Sequence, residues 1–157
     1  MKLSPNTSFK LSPKPSANST LTVYAAGTAY ALTTTAALLD FGTTDPSLTI
    51  TQPGTYLLLG RVVLDYNAAT FSASRVVTLK FRRTNNTAAD LTNGTTTVDT
   101  DIITTITSTF GAFSLPPVIY TTSNENDIIQ IFGDVAVAPS AGSLDAVAAE
   151  IVAVRLT

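Results

Sequence analysis

Short segments with a hydrophobic period of two, separated by turn residues, are the feature that most limits how this chain can fold. In VVTLKFRR, residues 76–83, the apolar Val77, Leu79 and Phe81 alternate with polar neighbours. This alternation predicts a β-strand with one buried face and one wet face. No window of a dozen residues combines the 3.6-residue period of a helix with helix caps. Threonine, the commonest residue, also favours strands.

Gly, Pro, Asn and Asp residues punctuate these segments at short intervals. The strongest turn signals lie at residues 26–27, 44–46, 52–54, 67–68, 85–86, 93–94, 116–117, 124–126, 133–134 and 140–142. The segments between them predict strands near residues 20–26, 29–34, 37–42, 47–51, 54–66, 74–83, 96–109, 112–121, 127–137 and 146–157. About eight to ten antiparallel strands without a helix indicate an all-β sandwich or jelly roll.

Some of the predicted strands are apolar on both faces. TQPGTYLLLGRVVLDY, residues 51–66, places apolar side chains on consecutive positions, and residues 127–132 and 149–156 come close to doing so. One face of a sandwich strand packs against the opposite sheet, whereas the other normally contacts water. A second apolar face therefore predicts a second partner, which we expect to be another copy of the chain.

The first 20 residues differ from the rest. They are rich in Ser, Pro, Asn and Lys, and the prolines disfavour a helix. We therefore divide the chain into an extended arm, residues 1–20, and one domain, residues 21–157. The arm is either a disordered leader or an attachment segment anchored by Leu3, Phe9 and Leu11.

Hydropathy predicts neither a signal peptide nor a membrane span. The 7–15-residue apolar core of a signal peptide is missing after Lys2. No stretch approaches the 18 consecutive apolar residues that predict a transmembrane helix.

Composition excludes several classes of function. The chain has no cysteine and no histidine, which rules out disulfides, cysteine or histidine catalysis and most transition-metal sites. Only 13% of residues are charged and the formal net charge is −2, so no basic field attracts nucleic acid. We predict a protein that is not an enzyme and needs no cofactor. Counting alone leaves a carboxylate pair for glycoside hydrolysis open, but the tryptophan platforms that often bind sugars are missing.

Two acidic pairs could be read as cation sites. Asp99 and Asp101 lie on one face of an extended strand, but calcium needs about six to eight oxygens. A polar strand start is the alternative. Asp40 and Asp45 flank Gly42 and could form a similar loop pair, but an Asp directly before Pro46 is typical of a turn.

Arg61 and Asp65 lie four residues apart and share one face of a predicted strand. A buried charge needs a partner. One interpretation is an ion pair between subunits involving Arg75 or Arg155. The other is that the strand ends emerge into solvent.

The order of these features resembles the complement and tumour-necrosis-factor superfamily of jelly rolls. Residues 48–56 end in Pro-Gly-x-Tyr and lead into a long apolar strand, like the start of the third strand in that family. Residues 127–133 and 149–156 occupy the places of its last two strands. The resemblance implies an antiparallel jelly roll that forms a homotrimer. The residues expected at the protomer interface are Leu57, Leu59, Arg61, Val63, Ile151, Ala153 and Arg155.

A Thr-rich jelly roll of low charge with a proline-bearing arm also looks like the small structural proteins of tailed-bacteriophage virions. This resemblance implies a capsid decoration or head-fibre protein on the outer surface of the particle. Its arm would bind the major capsid protein or another virion protein. The alternative is a tail-fibre tip that binds a host receptor or surface glycan through loops around residues 66–67, 85–86 and 93–94.

Overall fold

A computed structural model describes residues 19–71, 76–99 and 110–156. Within these ranges every regular element is a β-strand, and no helix is long and apolar enough to cross a membrane. The strands are β1 (Thr20–Ala31), β2 (Ala37–Leu38), β3 (Ser47–Ile50), β4 (Gly54–Asp65), β5 (Val76–Arg83), β6 (Ala89–Asp99), β7 (Phe110–Thr122), β8 (Asp127–Val135) and β9 (Asp145–Arg155).

The strands form two antiparallel sheets. Sheet A has the order β1-β9-β4-β7, and sheet B has the order β2-β8-β5-β6 with β3 also paired to β8. Strands far apart in the chain lie side by side in both sheets, as β1 and β9 do along most of their length. The antiparallel jelly-roll sandwich expected from the sequence is confirmed.

Alternation along the strands builds the core between the sheets. In β5, Val77, Leu79 and Phe81 are completely buried, as their spacing predicts. In β4, the buried side chains begin with Tyr56 and Leu58 and continue at every second position. Both central strands therefore turn one row of large apolar side chains inward, which is what holds the two sheets together.

Several predicted turns are bulges inside strands. The Ala26–Gly27 signal lies within β1, where the register with β9 shifts. The Pro116–Pro117 signal lies within β7, opposite a shift in the register of β4. β7 is an edge strand of sheet A, where two residues that lack N–H groups are tolerated.

Two further turn signals were also wrong. Asn93 has a φ of 62° inside β6, opposite a register shift in β5. The pair at residues 133–134 continues β8 without interruption. Turn residues in this chain therefore mark irregular backbone within strands as well as strand ends.

Several predictions from the sequence concern residues outside the described ranges. These are the attachment residues Leu3, Phe9 and Leu11, together with Arg75 and Asp101. The attachment arm and the cation pair with Asp99 therefore stay predictions.

Candidate protein–protein interface

The face of sheet A that points away from sheet B carries an unusual number of apolar side chains. We call it the outer face. Leu57, Leu59, Arg61 and Val63 of β4 lie on it, because Tyr56, Leu58, Val62 and Leu64 occupy the alternate, buried positions. The four β4 residues predicted to contact another protomer thus share one surface.

The prediction for β9 chose the wrong face of the strand. Ile151 and Ala153 are completely buried in the core of the same chain, so they cannot contact another protomer. The residues that β9 presents on the outer face are Glu150, Val152 and Val154, which alternate with them and remain partly exposed.

Arg155 also points away from the outer face. Its guanidinium donates hydrogen bonds to the Gln52 side-chain oxygen at 2.5 Å and to the Pro53 carbonyl oxygen at 2.8 Å. The arginine therefore ties the end of β9 to the turn before β4. The ion pair between Arg155 and another protomer stays a prediction.

Two edge residues extend the apolar surface beyond the central strands. Ile119 lies directly opposite Leu57 and is 61% exposed, and Tyr24 lies opposite Glu150 and is 66% exposed. Among the described residues, three of the four large hydrophobic side chains that are exposed belong to the outer face: Tyr24, Leu59 and Ile119. Exposed apolar patches of this kind are typical of interaction surfaces.

A row of polar side chains crosses the centre of the outer face. Pairing between strands aligns Tyr24 with Glu150, Glu150 with Arg61, and Arg61 with Ser114. Within the described part of the chain, no ion pair joins Arg61 to Glu150; the two salt bridges there lie on sheet B. The charges of Arg61 and Glu150 are thus available to a partner.

Two grooves flank this polar row. The larger, of about 440 Å³, lies between β4 and β7, where Leu59, Leu115 and Pro117 supply apolar walls. Arg61 and Glu150 line it too. The smaller, of about 170 Å³, lies beside Tyr24 and shares both charged residues. The outer face is therefore uneven, with an aromatic side chain at one edge and a depression near the other.

The loops proposed for glycan binding do not come together. Asn67 contacts Ser143 beyond the end of β4, whereas Asn85 bonds to Asn126 at the other end of the sandwich. The Asn85 side chain also accepts a hydrogen bond from the Ile128 N–H, and the Asn86 amide donates to Asp127. Both asparagines therefore support the fold rather than present free amides.

The remaining charged residues have local roles. Lys80 and Arg82 both bind Asp90, at 2.8 and 3.0 Å. The Asp40 carboxylate accepts a hydrogen bond from the Gly42 N–H, and burial, followed by the nearby charge of Asp40, raises the pKa of Asp45. In the described ranges no group of three acidic side chains is placed to hold a metal ion.

Comparison with solved structures identifies the architecture. The globular domain of zebrafish complement 1qA protein matches with a TM-score of 0.50 and 11% identity, over 87% of this chain and 94% of that one. The chain has the jelly-roll fold of the complement 1q globular domain. Murine APRIL also matches, with a TM-score of 0.40 and 13% identity over 69% of this chain and 70% of that one. Rabbit GITRL matches with a TM-score of 0.35 and 21% identity over 73% and 74%.

No protein-family profile and no curated protein matches the sequence. The similarity to the complement 1q globular domain is therefore detected in the backbone structure. This structural match confirms the fold expected from the Pro-Gly-x-Tyr motif and the last two strands. In this fold the outer face belongs to the sheet that contains the first and last strands of the domain.

The sequence reasoning missed several residues of this face, which are Tyr24, Ser114, Ile119, Glu150, Val152 and Val154. The alternation in residues 149–156 contained the signal for Glu150, Val152 and Val154, but either half of the alternation could have faced outward. Ile119 follows a pair of prolines that was interpreted as a turn.

Proposed function

We propose that this protein is a non-enzymatic structural module that forms a homotrimer through the outer face of sheet A. The observation that carries the proposal is the second apolar face of the central strands, on which Leu59 is 38% exposed in a single chain. Covering an aliphatic side chain completely contributes about 1.5–3 kcal/mol relative to full exposure. Several partly exposed side chains on one face therefore favour association.

The threefold arrangement draws support from the resemblance of the chain to the complement and tumour-necrosis-factor superfamily. The low charge of the chain, 13% of residues, also suits a protein whose surface is largely covered by copies or partners. Among the described residues that line the two grooves of the outer face, Arg61 and Glu150 are the charged pair.

We further propose that the trimer is a decoration or fibre protein on the outside of a phage particle, attached by residues 1–20. Three identical arms would bind the particle surface together, which raises the effective affinity of each. The support is the composition of the arm and of the domain. The glycan-binding alternative has no such support, because its asparagines lie at opposite ends of the sandwich and two of them bond internally.

Immunogold electron microscopy tests this location. Antibodies raised against residues 20–157 should label the outside of intact particles produced from the genome that encodes the chain. Particles produced from the same genome after deletion of the codons for residues 2–18 should lose the label while the soluble protein is still made. Labelling that is absent from intact particles would contradict the virion role.

A further inference from the structure

A trimer needs two different contact surfaces on each protomer. An isologous contact, in which the same patch meets itself, generates a twofold dimer, whereas a closed ring of three requires a heterologous contact. The outer face of sheet A supplies two unlike surfaces, one at each edge. This inference rests on the proposed trimer and specifies which parts of the outer face meet.

The first surface projects from the β1 edge. Tyr24 is the most exposed large hydrophobic side chain among the described residues, at 66%. A tyrosine presents an apolar ring and a hydroxyl that seeks a hydrogen-bond partner when it becomes buried. Its partner should therefore combine apolar walls with polar groups at one end.

The second surface is the larger groove near the β7 edge. It forms where the register of β4 and β7 shifts between Leu58 and Gly60. Gly60 occupies an inward-facing position of β4, where a Cβ would lie only 2.5 Å from the Phe81 ring, so its lack of a side chain lets sheet A pack closely on sheet B beneath the groove. The groove thus lies at the bulge that contains the two prolines.

The chemistry of this groove fits a tyrosine. Leu59, Leu115 and Pro117 offer apolar walls of the kind that cover an aromatic ring. Ser114 and the Arg61 guanidinium lie along the same groove. They offer a hydroxyl for the phenol and a cation for the ring face.

Tyr24 cannot reach the Ser114 side of this groove in its own chain. Tyr24 and Ser114 lie at the two ends of one cross-strand row, separated by β9 and β4. Three strand spacings amount to about 14 Å. We propose that Tyr24 of each protomer docks into the β4–β7 groove of the next, so that three such contacts close the ring.

Photo-crosslinking tests the contact directly. Tyr24 is replaced by p-benzoylphenylalanine, which preserves an aromatic ring at this position, and the irradiated full chain is analysed by denaturing gel and mass spectrometry. We expect species of two and three chains, with the crosslink on peptides that contain residues 57–61 or 114–117. The same probe in place of Thr78, at a partly exposed position on sheet B, should give no crosslinked species, so that the denaturing gel shows a single chain of 16.4 kDa.

A block of the groove provides a second measurement. Ser114 is exposed, so Ser114→Trp should fill the groove without disturbing the core. We expect it to raise the dissociation constant of the trimer at least tenfold, whereas Thr78→Trp, at a partly exposed position on sheet B, should change it less than threefold.

The outcomes separate the two proposals. A native trimer whose Tyr24 probe crosslinks to other elements, or to the Tyr24 peptide of a second chain, would overturn the docking contact and leave the trimer standing. A wild-type chain with the native mass of a monomer would overturn both. An unchanged dissociation constant for Ser114→Trp in a trimer would also contradict the docking contact.

Discussion

Asp127 is a completely buried carboxylate at one end of the sandwich, where it links the start of β8 to the end of β7 and to the loop after β5. It accepts hydrogen bonds from the hydroxyls of Tyr120 and Thr122 and, at 2.8 Å, from the Asn86 amide. Burial alone would raise the pKa of Asp127, but these three hydrogen bonds and the nearby charge of Arg83 lower it below the usual 3.8. The folded state therefore favours the ionised form of this carboxylate.

Replacing Asp127 with Asn should lower the free energy of unfolding at pH 7 by about 3 kcal/mol, because the hydrogen bonds to a buried charge are lost or weakened. Urea denaturation followed by circular dichroism measures this. Asp134→Asn, at a partly exposed position in the same strand, is the matched control and should change stability by less than about 0.5 kcal/mol. Equal effects of the two substitutions would contradict the role of Asp127.

The same carboxylate predicts the sign of an acid effect. A group with a lowered pKa in the folded state stabilises the fold above its unfolded value, and this contribution is lost as pH falls. Stability of the wild-type chain should therefore decline as pH drops below about 4. Asp127→Asn should flatten that decline. An identical pH dependence for the two proteins, measured by urea titration from pH 7 to pH 2.5, would contradict the lowered pKa.

Two tyrosines provide a second comparison between residues. The Tyr66 hydroxyl is buried and has no hydrogen-bond partner among the described residues, and burial raises its pKa to about 12. The Tyr56 hydroxyl donates to the Gln52 carbonyl oxygen at 2.8 Å. Tyr56 thus replaces the hydrogen bond to water that its hydroxyl loses on burial, whereas Tyr66 does not within the described part of the chain.

Removal of the two hydroxyls should have opposite effects. Tyr66→Phe should raise the free energy of unfolding by about 1 kcal/mol, because an uncompensated buried polar group disappears, while Tyr56→Phe should lower it by about 1 kcal/mol. Thermal and urea denaturation measure both changes. A loss of stability in Tyr66→Phe would show that its hydroxyl has a partner.

At the scale of the elements, strand bulges decide how closely neighbouring segments approach each other. Gly27 lies in the β1 bulge, where a Cβ would be only 2.5 Å from the Phe41 carbonyl oxygen. The neighbouring Thr28 N–H donates a hydrogen bond to that same oxygen at 3.1 Å. The absence of a side chain at residue 27 is what allows β1 to approach the segment after β2.

Gly27→Ala should therefore destabilise the domain by about 1–3 kcal/mol, since backbone rather than a flexible side chain must move. Ala29→Ser, at an exposed position in the same strand, should be nearly neutral. Differential scanning calorimetry of both variants measures the difference. Two variants of equal melting temperature would contradict the close approach at the bulge.

The fold could be predicted from the sequence because alternation is a local signal. The spacing of Val77, Leu79 and Phe81 predicts a buried face, and all three side chains are buried in the structure. The turn signals at residues 26–27 and 116–117 were misread because Gly and Pro are used at bulges as well as at strand ends. Only the pairing partner decides which of the two occurs, and the pairing partners lie far away in the chain.

The candidate interface was predicted in part, for a similar reason. In β4 the polar Arg61 marked the face opposite the buried Leu58 and Val62. In residues 149–156 each half of the alternation contains aliphatic residues and one charge, Glu150 or Arg155. The side of the strand on which Arg155 lies is fixed by its hydrogen bonds to Gln52 and Pro53, about a hundred residues earlier in the chain. A local sequence pattern cannot predict a contact over that separation.

At the scale of the whole molecule, the outer face of sheet A should control assembly independently of folding. Leu59→Asp should shift the trimer toward monomers, because a charge would be buried without a partner in the interface. The substitution should leave the fold intact, because Leu59 is 38% exposed in a single chain. Its circular dichroism spectrum should match that of the wild type. Thr78→Asp, at a partly exposed position on sheet B, should leave the native mass unchanged.

The native mass of the full chain tests the central claim most directly. Size-exclusion chromatography with multi-angle light scattering at micromolar concentration should give three times the chain mass of 16.4 kDa, independent of dilution over an order of magnitude. A single species of 16.4 kDa would mean that Tyr24, Leu59 and Ile119 remain in water, and would contradict the account of the second apolar face.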